Sequence, residues 1–85
     1  QIKAMKKLQL TIVSPEKKLF QGEVNQVTLP GVMGSFTILS QHAPIVSSLT
    51  RGKILYVTAD GTSQNLEVMG GFVEMNDNNV SVCIN

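Results

Sequence analysis

Residues 29–49 of this 85-residue chain read LPGVMGSFTILSQHAPIVSSL, and they hold two of its three prolines and its single histidine. Pro30-Gly31 is a turn signal, and Gly34 suits a backbone position with positive φ. His42-Ala43-Pro44 is expected to break one short apolar strand from the next. The loops in this stretch are therefore more tightly specified than the strands between them.

Two strands are predicted on either side of the histidine corner, at residues 35–39 and 45–49. Loops held in one shape by a rigid β scaffold are where small domains often place their contacts. The function of this chain is therefore expected to lie along this edge.

Alternating apolar residues predict further strands along the rest of the chain. Asp60-Gly61 between two such runs is a strong hairpin signal, Gly70-Gly71 permits a corner where two backbones approach closely, and residues 76–79 form a turn. Nothing reads as a helix, and many short strands with frequent turns are typical of a β-sandwich or barrel. The additional strands are predicted at residues 8–13, 18–20, 23–30, 53–59, 64–69, 72–75 and 80–84.

Two of these strands carry extra information. In residues 23–30, Val24 has one parity while Val27 and Leu29 have the other, so we expect a β-bulge near Asn25-Gln26. Gly22, after the strand predicted at residues 18–20, is expected to turn the chain or form a bulge. Residues 53–59 are apolar on both faces. That pattern predicts a strand sandwiched between layers or packed against a partner.

Composition places the chain among globular domains. It is 42% hydrophobic and 15% charged with a formal net charge of +1, and its basic residues are scattered rather than gathered with aromatics, which argues against nucleic acid as a partner. A lone cysteine, Cys83, fits a reducing compartment. Without a transmembrane run or signal peptide, we expect a soluble domain that meets a membrane only through partners. Residues 1–4 are interpreted as an artificial or upstream addition before Met5, and residues 5–85 as one domain.

Catalytic and metal-binding constellations are not apparent. His42 is the one candidate base, and a structural role at the strand corner or a partner contact is favoured over catalysis. His42 and Cys83 lack zinc-ligand spacing, Asp77 lacks the carboxylate series of a calcium loop, and Gly70-Gly71 is followed by no helix that would cradle phosphate. We expect no catalytic residue, metal or cofactor, and an inert, partly buried Cys83 thiol.

Four motifs in order, SPEKKLFQGEV, VTLPGVMGSFTIL, HAPIVSSLTRG and MGGFVEMNDNNVSV, together resemble the N-terminal β-sandwich of the F-type ATP synthase epsilon subunit, called delta in mitochondria. The resemblance covers residues 8–84. It implies an all-β, flattened, ten-stranded β-sandwich. Family members commonly continue into a C-terminal helical hairpin, which is not expected here because the sequence stops at Asn85.

The resemblance implies a non-catalytic rotor subunit of the central stalk. It would couple the gamma subunit to the c-ring during proton- or sodium-driven ATP synthesis, at the cytoplasmic face of the bacterial inner membrane. A β-sandwich that binds a ligand or mediates adhesion is the alternative, and it would need a concave pocket with converging polar groups.

The same resemblance implies two sets of contact residues. Some relatives carry an acidic residue where this chain has Ser35, so the resemblance does not imply a charge-paired ring contact. Val32 and Met33 would instead offer an apolar contact with adaptable methionine in it, and packing of this loop against the sandwich is the alternative. We further expect gamma to cover one face of the sandwich, including part of strand 53–59. The implied c-ring contacts are Val32, Met33, Gly34 and Ser35, and the implied gamma contacts are Ser14, His42 and Ser47.

Overall fold

The computed structural model describes residues 7–85, in which every regular element is a β-strand. The predicted domain start at Met5 and the interpretation of residues 1–4 lie outside that range. With no helix among the described residues, none is long and apolar enough to cross a membrane. The strands are β1 (Leu8–Val13), β2 (Lys18–Gly31), β3 (Gly34–Leu39), β4 (Ile45–Leu49), β5 (Gly52–Thr58), β6 (Ser63–Val68), β7 (Gly71–Asn76) and β8 (Asn79–Ile84).

The 14-residue strand β2 belongs to both layers of the fold. Its first half pairs antiparallel with β1, which continues through β8 and β7 to β4. Its second half lies between β3 and β5, and β6 pairs with β5. The last residue of β2, Gly31, pairs with Leu49 of β4, so the first layer closes back onto the same strand.

A β-bulge in β2 separates its two halves. The register with β5 shifts between Val24 and Gln26, which leaves Asn25 as the extra residue. Val24 and Val27 are three positions apart, yet both are fully buried, and only an inserted residue allows that in a strand whose side chains alternate. The bulge predicted from the change of parity is confirmed.

The core lies between the two layers. Phe20 from the first half of β2 and Tyr56 from β5 pack across it, with their ring centroids 4.6 Å apart, a separation typical of tilted aromatic pairs. The predicted alternation of apolar residues is confirmed on both layers. The buried apolar side chains are Leu8, Leu10, Ile12, Val24, Val27, Leu29, Ile38, Leu49, Ile54, Val68, Val73, Met75, Val80, Val82 and Ile84.

The prediction of a turn at Pro30-Gly31 is wrong. Both residues lie in β2, and the chain reverses at Val32-Met33 instead. Glycine is required at position 31 for space, because a Cβ there would lie 2.7 Å from the Phe36 ring. Gly34 has φ +127°, so the prediction of positive φ at that position is confirmed.

The prediction of a separate short strand at residues 18–20, with Gly22 ending or bulging it, is also wrong. Gly22 lies within β2 in register with Leu10. The Phe20 ring lies over Gly22, where a Cβ would be only 3.3 Å from the ring. The structure therefore has eight strands in residues 7–85, against the ten that the resemblance implies, and one continuous strand serves both layers.

The turns predicted at Asp60-Gly61 and within residues 76–79 are confirmed, and the corner at Gly70-Gly71 is a very close backbone approach. A Cβ at Gly71 would lie 2.1 Å from the Cys83 carbonyl oxygen, and its φ of +146° is one that other residues rarely adopt. The residue therefore meets two constraints that glycine alone satisfies.

We expect Gly71→Ala to lower the free energy of unfolding by at least about 3 kcal/mol, because strain and overpacking act together. Gly61→Ala is the matched control, since Gly61 also has positive φ but open space around it, and it should cost about 1–2 kcal/mol. Urea denaturation of both variants measures the difference. Equal losses would show that the close approach at Gly71 relaxes without cost.

Asp60 organises the β5–β6 hairpin. Its carboxylate accepts hydrogen bonds from the Thr58 hydroxyl and from the Thr62 backbone N–H, the latter at 3.0 Å. The Thr58 hydrogen bond and then those from Thr62 lower the pKa of Asp60 from its ordinary 3.8. The ionised form is therefore favoured in the folded protein.

We expect Asp60→Asn to be less stable than the wild type at neutral pH, because charge-assisted hydrogen bonds are stronger than neutral ones. A lowered folded-state pKa contributes stability that is present above the unfolded-state pKa and is lost as pH falls through the folded-state value. The gap in urea midpoint should therefore be constant from pH 7 to about 5, narrow below the unfolded-state pKa of about 3.9, and close as pH falls through the lowered folded-state pKa. Glu16→Gln, at an exposed position, is the control; a gap independent of pH at Asp60 would contradict this account.

Candidate protein interface

The β2–β3 turn collects the four residues that the resemblance implies for the c-ring. Val32, Met33, Gly34 and Ser35 are adjacent and exposed, and the Met33 side chain is 96% exposed. The turn is anchored to β4, because the Val32 N–H donates to the Ser48 carbonyl at 3.1 Å. It is a preformed, apolar, accessible tip.

Met69 is a second exposed methionine that sequence reasoning missed, with 67% of its surface accessible. It follows the last residue of β6, Val68, which pairs with Gly52. A Cβ at Gly52 would lie 2.8 Å from the Cβ of Pro30, so this region packs beside the end of β2. Met69 breaks the alternation of apolar residues just before Gly70, and this break is the sequence signal that could have identified it.

Ser14 follows the last residue of β1, Val13, and begins the turn into β2. Its backbone N–H and its hydroxyl both donate to the Lys17 carbonyl, at 2.9 and 3.3 Å. It lies in an open groove of about 300 Å³ that Phe72 and Cys83 also line. The groove is mainly apolar, and Ser14 contributes a polar group at its margin.

Ser47, the second implied gamma contact, lies on strand β4. It pairs with buried Val73 and shares its parity with buried Leu49, so its half-buried side chain is on the core side of β4. Its hydroxyl donates to the Ser48 carbonyl at 3.2 Å. Strand β4 meets β2 only at Leu49, so Ser47 borders an otherwise open strand edge in the part of the chain described.

His42 lies in the exposed corner between β3 and β4. Its Nδ1 is 2.8 Å from the Ala43 carbonyl oxygen. Because a carbonyl only accepts, Nδ1 carries the proton in this contact and a neutral ring keeps its lone pair on Nε2. The hydrogen bond goes to backbone rather than to a hydroxyl or thiol, an arrangement that serves a corner or a contact and does not prepare a nucleophile.

The three residues implied for gamma do not form one tight cluster. Ser14 directly follows β1, and Ser47 lies on β4. These two strands stand at opposite ends of the β1–β8–β7–β4 order, so three strand spacings, or about 14 Å, separate them. His42 stands before the first residue of β4. A partner that contacts all three must therefore span this layer.

The two outer faces both carry exposed apolar side chains. Strand β5 has buried Ile54 on one side and exposed Leu55 on the other. Its second face is therefore not covered by a layer of this domain, and the predicted packing against a partner stays a prediction. Leu39 of β3 is exposed as well and has the same outward parity as Leu55. On the other layer, the exposed large apolar side chains are those of Val46, which is 74% accessible, and Phe72.

No group of three or more histidine, cysteine or acidic side chains that could hold a metal ion occurs within residues 7–85. Cys83 is half-buried, as predicted for a partly buried thiol.

The described residues match one known protein family. Residues 7–85 match the family model of the ATP synthase delta/epsilon chain β-sandwich domain. The chain is 48% identical over 71 residues to the ATP synthase epsilon chain of Nitrobacter winogradskyi, covering 84% of this chain and 52% of that relative. The chain thus spans about half the length of the curated relative.

Two solved structures share the fold. A chain of the Euglena gracilis mitochondrial ATP synthase OSCP/F1/c-ring structure matches with a TM-score of 0.86 at 24% identity, over 92% of this chain and 50% of that one. A chain of the Tetrahymena thermophila mitochondrial ATP synthase central stalk/c-ring structure matches with a TM-score of 0.74 at 19% identity, over 96% and 66%. At these identities the likeness concerns the fold.

Proposed function

The chain belongs to the ATP synthase delta/epsilon chain β-sandwich family, and from that premise we propose that it is a non-catalytic subunit of the central stalk. In this role it binds the gamma subunit on one side and the c-ring on the other, and it couples the two during ATP synthesis. Its place is then the cytoplasmic face of a bacterial inner membrane, reached through these partners.

The observation that carries the proposal is the family match over the whole described domain, residues 7–85. The named assemblies of the structural relatives, a central stalk with a c-ring among them, support it. The proposal concerns the β-sandwich alone, because the curated relative is about twice as long.

The construction of the domain suits a part that transmits force. One strand, β2, is shared by both layers, so a load on its terminal turn passes along a covalent chain into both sheets. Buried side chains from both layers form one core cluster, and close-packed interiors have low compressibility. The exposed tip at Val32-Met33 is thus mounted on a stiff support.

We expect this chain, expressed with the gamma subunit of the same genome, to form a one-to-one complex in size-exclusion chromatography with mass detection. Ser14→Asp and His42→Asp should each weaken the complex about tenfold or more, because a charge would be desolvated in the contact. Ser47→Asp should weaken binding and also lower stability, because its side chain lies on the core side of β4.

Ser63→Asp is the matched control for the contacts implied at Ser14, His42 and Ser47, since it makes the same change at an exposed position on β6, in the other layer. A loss of binding in this variant as well would place part of the gamma contact on the β5–β6 face. Thermal denaturation of each variant separates lost folding from lost binding. If the folded wild-type chain does not bind folded gamma, the proposed function is overturned. Binding that tolerates charge at both Ser14 and His42 would move the gamma contact elsewhere.

The c-ring contact is tested at Met33 because its side chain is almost wholly exposed and its change should leave folding intact. Burying such a side chain stabilises a contact by about 1.5–3 kcal/mol, so Met33→Asp should reduce capture of the gamma complex by detergent-purified c-ring about tenfold or more. Met33→Leu should retain capture, and Ser63→Asp serves again as the charged control. Undiminished capture with Met33→Asp would contradict a contact at this turn.

A further inference from the structure

Asn78 is a buried residue at a hairpin tip, where side chains are ordinarily exposed. It is 7% accessible, and it forms the two-residue β7–β8 turn with Asp77, both at positive φ. Asparagine tolerates this backbone conformation better than most residues. Turn formation explains the residue type at position 78 but not its burial.

The burial follows from two long-range hydrogen bonds. The Asn78 side-chain Oδ1 accepts from the Gln41 backbone N–H at 2.7 Å, and its backbone carbonyl accepts from the Gln9 N–H at 2.8 Å. One residue thus joins the β7–β8 turn, the start of β1 and the corner that precedes β4.

That corner, residues 40–44, lies outside the strand ladders and has little else to fix it. The His42 N–H donates to the Leu39 carbonyl at 3.2 Å, and the His42 ring donates to Ala43. Both of these bonds are local, whereas the bond from Gln41 to Asn78 connects the corner to the far hairpin. Gln41 itself has φ +69°, a conformation that must be maintained by surrounding contacts.

We propose that Asn78 is a positioning residue for gamma binding, holding the corner so that His42 is presented in its binding geometry. The inference rests on the proposed function, since it takes gamma as the partner that meets His42. Asn78 acts through Gln41 and need not touch gamma. A loop ordered before binding loses less conformational entropy in the complex, which favours affinity.

The test compares Asn78→Gly with Asp77→Gly in the full 85-residue chain. Both place glycine at a positive-φ position of the same turn, but only Asn78→Gly removes the acceptor of the Gln41 N–H. Amide hydrogen exchange at Gln41 and gamma affinity by calorimetry are measured under conditions where thermal denaturation shows each variant folded. Asn78→Asp keeps both an acceptor oxygen and tolerance of positive φ. Its carboxylate accepts from the Gln41 N–H in a charge-assisted hydrogen bond that offsets the desolvation of the charge, so this variant serves as the rescue.

We expect Asn78→Gly to speed Gln41 exchange and to weaken gamma binding, each by about tenfold. Asp77→Gly and Asn78→Asp should stay within about threefold of the wild type, a margin of roughly half the free energy of a tenfold effect. If Asn78→Gly does not fold, Asn78→Ser replaces it, because its hydroxyl stops one bond short of the Oδ1 position.

The outcomes are distinguishable. Faster Gln41 exchange with unchanged gamma affinity would overturn the positioning role while leaving the proposed function intact. Equal weakening by Asp77→Gly and Asn78→Gly would also overturn it, because the effect would then belong to the turn backbone. Wild-type chain that fails to bind gamma would remove the proposed function, and the inference with it, even if Gln41 exchange responds as expected.

Discussion

The inserted residue at Asn25 is the constraint on which the two-layer fold depends. Val24 pairs with Leu8 in one layer, and Val27 packs in the other. Without the bulge, the alternation of side chains would turn one of these valines to solvent, with a loss of about 1.5–3 kcal/mol. The Asn25 amide also donates to the Thr58 carbonyl at 3.2 Å, so the irregular position keeps its polar groups satisfied. Local irregularity in β2 is therefore what lets one strand serve both halves of the core.

Several loops are held by contacts that regular strand pairing does not provide. Asp60 accepts from the Thr58 hydroxyl and the Thr62 backbone N–H in one hairpin. Asn78 reaches across from another hairpin to Gln41. Such side-chain acceptors replace water around backbone groups that have no ladder partner. The loops are thereby ordered in the free chain, and this preorganisation suits contact surfaces that must bind without first folding.

The parts of the fold that sequence predicts well are those set by local chemistry. The bulge followed from a change of parity, and the Asp60-Gly61 hairpin followed from residues that tolerate its backbone. Pro30-Gly31 was wrongly predicted to be a turn. Gly31 is glycine because the Phe36 ring approaches it closely, and this tertiary contact cannot be read from the dipeptide. The core-side placement of Ser47 and the bond to Asn78 depend on which strands are neighbours. Neither is visible in one sequence. The exposure of Met33 is a local feature of the β2–β3 turn, and the c-ring contact implied for it stays a prediction.

The distribution of exposed apolar side chains favours a domain with more than one protein partner. Leu55 lies on the outer face of one layer and Phe72 on the outer face of the other, while Met33 stands on a turn between strands. The outer faces of two packed layers point in opposite directions, so one flat partner surface cannot cover both. Isolated exposed apolar residues are ordinary on protein surfaces, but here they occur on separate surfaces of a stiff scaffold whose loops are ordered in advance. A subunit that joins one partner to another needs this arrangement, because force passes between partners only if the contacts on each side are fixed to the same rigid core.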